Sequence, residues 1–184
     1  MNDLIKRDLY RYVGEECNSL WVELRYSVFT PGFRYIYFFR KGFLAKKCLA
    51  RFFWHLLMRM CMYRTGIQIP LGTTIEEGFR IVHFGNIVIN PNVVIGKNFN
   101  ISQGCLIGNS QGKHGGTPVI GDNVYMGANS IIVGGVCIGN DVLIAPGAFV
   151  NFDVPDNSIV IGNPGRIIER KTSPTEKYIV YPIK

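Results

Sequence analysis

The chain has 184 residues, 47% hydrophobic and 18% charged, which is enough apolar material for one folded domain and excludes global disorder. Its five cysteines are scattered, with no Cys-x-x-Cys or Cys/His spacing, which argues against a disulfide scaffold, a zinc ribbon or any bound metal. The net charge of +7 is lopsided: residues 1–66 carry 12 Lys/Arg against 5 Asp/Glu, whereas residues 67–184 carry 8 of each. The first third therefore calls for an anionic partner that the rest does not.

The N-terminal sequence MNDLIKRDLYRY lacks the apolar core of a secretory signal, and no run of about 18 uncharged apolar residues follows, so the cytoplasm is the expected compartment. Residues 1–30 read as one or two helices, with Pro31-Gly32 as a break. Residues 33–42 are aromatic and basic, and residues 43–64 read as one helix without Pro or Gly. In that helix Lys47, Arg51, His55 and Arg59 recur at i+4, giving a basic face beside an apolar side of Leu44, Phe52, Leu56 and Met60. Two readings stand: a solvated helix packs its apolar side on an oligomer of the protein, or residues 43–64 make peripheral contact with a membrane or a lipid-linked substrate. Without an RRM, KH or zinc-finger pattern, the basic charge does not predict nucleic-acid binding.

From residue 67 an internal repeat takes over. Ile69, Ile75, Ile81 and Ile87 recur every six residues. Ile89, Ile95, Ile101 and Ile107 form a second run, shifted by two. Ile120, Met126, Ile132, Ile138, Ile144 and Val150 form a third. A helix repeats at 3.6 and a half-buried strand at 2, so a period of six requires short strands joined by tight turns. Gly and Asn at the turns suit positive φ. This pattern resembles that of the hexapeptide-repeat acyltransferases over about residues 67–170. The resemblance implies a mainly β fold, a left-handed parallel β-helix with three repeats per coil, preceded by the helical region 1–66. It further implies a homotrimer with active sites between subunits and acetyl-CoA as co-substrate.

Residues 108–119 (GNSQGKHGGTPV) interrupt the repeat as a flexible, glycine-rich loop of the kind that carries function on a rigid scaffold. Residues 151–170 leave the repeat, and Asn163-Pro164-Gly165-Arg166 resembles the segment that ends the β-helix in the family. The tail 171–184 reads as a closing strand or a docking peptide.

His83-Phe84-Gly85-Asn86-Ile87-Val88 resembles the His-x-x-Gly-Ile-Val signature of the serine acetyltransferase branch, offset by one residue at the glycine. The resemblance places the general base on His83, and an imidazole suits that task near neutral pH. It implies direct acyl transfer without an acyl-enzyme, the oxyanion held by a backbone N–H near Gly108 or Asn109. Cys105 and Cys137 occupy repeat positions that suggest burial, which disfavours them as nucleophiles. For coenzyme A, the stretches matching the family's groove contain Gly127, Ala128, Ala145 and Pro146, with Arg166 and Lys171 as candidates for the phosphates.

Two departures stand out. The branch orients its base with an Asp, and the matching residue is Gln68, with Glu76 or Glu77 as substitutes. Its second His is replaced by Thr117, which leaves His114 in the loop as the second catalytic candidate, reaching a neighbour's site. The acidic residue beside the branch's base is Val82 here. These differences, and N-terminal segments similar to those of capsular and exopolysaccharide acetyltransferases, predict a sugar hydroxyl of a surface polysaccharide or its lipid-linked precursor as acceptor. Serine is the alternative acceptor, and a non-catalytic trimeric scaffold is the second alternative.

Overall fold

The computed structural model describes residues 3–112 and 114–184. Helices fill the first third: α1 (Asp3–Val13), a 3-10 turn (Gly14–Asn18), α2 (Leu20–Phe29), α3 (Pro31–Leu44) and α4 (Cys48–Thr65). Pro31 opens α3 at its first turn, where a missing N–H removes no helical bond. The single helix expected over 43–64 is corrected: Phe43 and Leu44 end α3, and the chain reverses through residues 45–47. The reversal lets Trp54 of α4 pack on Tyr37 and Phe38 of α3, a tertiary contact that periodicity does not encode. Gly66 closes α4 in the left-handed conformation at φ 71°, its N–H donating to the Met62 carbonyl at 2.7 Å.

Residues 67–169 wind into a parallel β-helix with three faces. The first face stacks Val88–Ile89, Leu106–Gly108, Ile131–Val133 and Phe149–Val150. The second stacks Thr74–Ile75, Val94–Ile95, Val119–Ile120 and Cys137–Ile138. The third stacks Arg80–Ile81, Asn100–Ile101, Tyr125–Met126, Leu143–Ile144 and Ser158–Ile161, and closes with antiparallel Arg166–Glu169. The hexad aliphatics of all three runs point inward and form one core. Turns between faces use left-handed Asn and Asp: Asn98, Asn123, Asp141 and Asn157 share one corner at φ 54–57°.

The shift of two between the first and second runs has a structural origin. Ile89 stacks beneath Ile69 on the first face, because Gln68 bridges Val88 in parallel. Eight residues therefore lead from Ile81 to Ile89, whereas six lead from Ile101 to Ile107 in the coil below. The corner that contains His83 is two residues longer than those beneath it.

The helices cap the open end of the β-helix, one side chain per face. Tyr35 Oη donates to the Ile69 carbonyl and accepts from its N–H, at 3.1 and 3.0 Å. Tyr12 does the same for Ile81, both at 3.0 Å. Arg40 donates to the Ile75 and Glu76 carbonyls at 2.7 and 2.6 Å and pairs with buried Asp8 at 2.7 Å. Asp8 in turn accepts the Phe79 N–H at 2.9 Å. The first coil thus exposes no bare strand edge at these positions.

The tail 171–184 contains no strand, which removes the closing-strand alternative. It docks along the third face: Asn100 donates to the Tyr178 carbonyl, Arg11 to Val180, and Asn98 exchanges bonds with both backbone groups of Ile183.

Candidate active site

The widened corner holds His83 and Phe84 in exposed positions, Phe84 at 50% exposure. Gly85 at φ 130° and Asn86 at φ 48° turn the chain back toward Ile87. Among the described residues no side chain hydrogen-bonds the His83 imidazole, which leaves both ring nitrogens open to a reactant. The corners of later coils stack beneath it through backbone bonds: Gly104 N–H to Gly85 O, Asn129 N–H to Gln103 O, Gly147 N–H to Ala128 O, at 2.8–2.9 Å. One column therefore runs from His83 through Gln103 and Ala128 to Pro146. Ala145 and Gly127 belong to it, but Gly127 is filled from within, since a Cβ there would lie 2.7 Å from the Pro146 ring. The small side chain at Gly127 makes room for the next coil rather than for a ligand.

Across the first face lies a cleft of about 390 Å³, lined by the outward Gln68, Val88 and Leu106 and, at the edge opposite His83, by Asn90, Gly108 and Asn109. Gly108 is in register with Val133 in the strand ladder. Among the described residues the Asn109 backbone N–H has no acceptor. The described residues of the loop that follows are tied down at several points. Ser110 and Gly116 pair across it, Ser110 Oγ donates to the His114 carbonyl at 2.8 Å, and Gly135 N–H donates to the same carbonyl at 2.9 Å. The His114 side chain is exposed. The His83 corner and this loop are separated by the width of one face, roughly 15–20 Å of extended chain. Within one subunit they do not meet.

Arg166 pairs with Ile161 at the edge of the third face that continues the His83 column, whereas Arg170 N–H bonds Asn157 at the other edge, and exposed Lys171 follows it there. The structure brings Arg166, not Lys171, to the foot of the column.

No carboxylate takes the orienting role expected of Glu76 or Glu77. Glu77 is held by Arg7 at 2.7 Å and Lys97 at 3.1 Å, and both glutamates lie at the edge of the third face away from His83. Gln68 stands exposed on the first face in register with Val88 and makes no bond to His83 among the described residues. Cys105 is buried, and burial pushes its thiol pKa up. The expected burial of Cys137 is corrected: it occupies the outward position of its strand on the second face and is exposed. No cluster of metal-ligating side chains exists among the described residues.

Two further residues belong to this corner. Phe84 stands exposed beside His83, and Gln103, one coil below, has a buried Oε1 without a partner among the described residues. The count of eight in a series of sixes was the signal that marked this corner.

The fold defines a class, the hexapeptide-repeat β-helix proteins. Residues 117–151 match the family of bacterial transferase hexapeptides (six repeats). Over those residues the chain is similar to that family, and its fold is the left-handed parallel β-helix. It is 34% identical over 115 residues to the serine acetyltransferase of Bacillus subtilis, covering 61% of this chain and 52% of that one. It is 41% identical over 102 residues to the putative colanic acid biosynthesis acetyltransferase WcaB of Escherichia coli, covering 55% and 63%. The chain thus spans about half to three-fifths of these relatives. The crystal structure of Neisseria gonorrhoeae serine acetyltransferase (CysE) superposes with a TM-score of 0.75 at 27% identity, over 95% of this chain and 69% of that one.

Proposed function

We propose that the protein is an acetyl-CoA-dependent O-acetyltransferase that acetylates a hydroxyl of a surface polysaccharide or its lipid-linked precursor, as a cytoplasmic homotrimer in peripheral contact with the membrane. The observation that carries the acceptor choice is the widened corner. It offers His83 beside the exposed ring of Phe84, with apolar Val82 next to it and Glu77 engaged by Arg7 and Lys97 across the third face. A sugar ring can lay its C–H face on an aromatic ring, whereas the ammonium of serine calls for a carboxylate.

In this reading the His83 imidazole takes the proton of the acceptor hydroxyl as its oxygen attacks the thioester carbonyl. The C–S bond breaks as the ester C–O bond remains, and the proton passes to the departing CoA thiolate. The Asn109 N–H, free of an internal acceptor, would hold the oxyanion from a neighbouring subunit. Buried Cys105, its thiol pushed up, has no part in an acyl-enzyme. For acetyl-CoA, the methyl-sized Ala128 and Ala145 leave room for a pantetheine arm along the column, and Arg166 fits its phosphates.

The homotrimer is supported by the outward residues of the two faces the tail leaves uncovered. Most of these are apolar: Val88, Leu106, Ile131 and Phe149 on the first, beside Gln68, and Val94 and Val119 on the second, beside Thr74. Serine is the second reading, favoured by the likeness to N. gonorrhoeae serine acetyltransferase across nearly the whole chain.

The test is thiol release from acetyl-CoA with polysaccharide repeat units or L-serine as acceptor, beside a His83→Ala control. Turnover on saccharide alone, lost in the control, supports the proposal. Turnover on serine establishes the second reading, and absence of acetyl-CoA binding returns the chain to a scaffold.

A further inference from the structure

α4 has two apolar faces. One packs inward through Trp54, Met58 and Cys61. The other consists of Leu49, Phe52, Phe53, Leu56, Met60 and Tyr63, each between 48% and 85% exposed. Their spacing of 3, 4, 7, 11 and 14 residues from Leu49 draws one straight stripe along the helix. At 100° per residue, Arg59 and Arg64 fall on either side of that stripe, and both are exposed. The apolar side expected from the sequence, with Phe52, Leu56 and Met60, is this outer face, and it is bare within the single subunit. α2 adds a second bare strip of Leu20, Trp21, Leu24 and Val28.

The charge around this surface has one sign. Residues 24–75 contain nine Lys/Arg and no Asp or Glu, and of the nine only Arg40 is buried in an ion pair. A second copy of this chain would bring cations against cations, which opposes self-association here. A polar partner does not account for a continuous stripe of Phe, Leu and Met. No helix among the described residues is long and apolar enough to cross a membrane, and α4 has arginines at both flanks of its stripe, the arrangement of a helix lying in an interface.

We infer that the outer stripe of α4 docks on the surface of an anionic phospholipid bilayer, its Phe and Leu side chains in the acyl boundary and its arginines on the headgroup phosphates. This deepens the membrane part of the proposed function and does not depend on acetyl transfer.

The test uses the full chain without acetyl-CoA. Co-sedimentation is measured with vesicles of phosphatidylcholine alone and of phosphatidylcholine with about one-third phosphatidylglycerol. Binding at least about tenfold tighter to the anionic vesicles, weakened by salt, is expected. Phe52→Ser with Leu56→Ser should lower it about tenfold or more, and Arg59→Gln with Arg64→Gln should abolish the anionic preference. These side chains are exposed, so an unchanged melting curve verifies that each variant folds. A folded protein that ignores both vesicles, or binds them equally, overturns the inference. So does an oligomer that dissociates when Phe52 and Leu56 are replaced, which would assign the stripe to a second copy. Vesicle binding without acetyl transfer would sink only the enzymatic reading.

Discussion

Among the described residues nothing hydrogen-bonds the exposed His83 imidazole, so its removal is expected to act on chemistry rather than on folding. His83→Ala should lower the rate of acetyl transfer by roughly 10²- to 10⁴-fold with the melting temperature unchanged, read by thiol release and circular dichroism. Gly127→Ala should do the reverse. Its Cβ would press on the Pro146 ring at 2.7 Å, and such overpacking costs about 1–3 kcal/mol in thermal or urea unfolding. The cysteines divide in the same way. Cys17, Cys61 and Cys105 are buried with thiols pushed up by burial, whereas Cys48 and Cys137 are exposed. Brief native alkylation followed by mass spectrometry should mark Cys48 and Cys137 and spare the other three.

At the scale of elements, the helical region finishes the β-helix. Tyr12 and Tyr35 each satisfy one N–H and one C=O of the first coil, and burial pushes the Tyr35 phenol up to about 12 and the Tyr12 phenol higher still. Both stay neutral and able to donate across the physiological range. Tyr12→Phe and Tyr35→Phe should each cost about 1–3 kcal/mol, because the strand groups lose their partner while remaining covered. The two sites cap different faces, so the double variant should be near-additive in urea unfolding. Asp8→Ala should be harsher, about 3–5 kcal/mol, since it strands the buried Arg40 guanidinium. None of these partnerships was legible in the chain. An Asp, an Arg and two tyrosines in helical segments have no signature that distinguishes a cap from a solvated surface.

For the whole molecule, the decisive relation is that His83 and the His114 loop flank opposite edges of one face. If neighbouring subunits complete each other's sites and His114 takes part, His83→Ala and His114→Ala proteins, each inactive alone, should regain part of the activity when unfolded together and reassembled. Subunits that carry whole sites would show no such rescue. Val119→Glu places a charge on the apolar outward row of the second face. It should dissociate the proposed trimer in sedimentation without unfolding the β-helix.

The period of six was written in the amino acids, because each inward position accepts only an aliphatic side chain and each corner requires Gly, Asn or Asp. So were both interruptions of that period, which bracket the first face at His83 and at residues 108–119. Tertiary structure decided the rest. It showed that the first interruption is a corner enlarged by two residues, since only stacking reveals that Ile89 lies under Ile69. It divided the candidate ligands between two edges, bringing Ala128, Pro146 and Arg166 into the His83 column and leaving Asn109 and His114 across the face. It also split the basic helical stretch and left the stripe from Leu49 to Tyr63 bare, because which apolar face of a helix is covered depends on neighbours far away in the sequence.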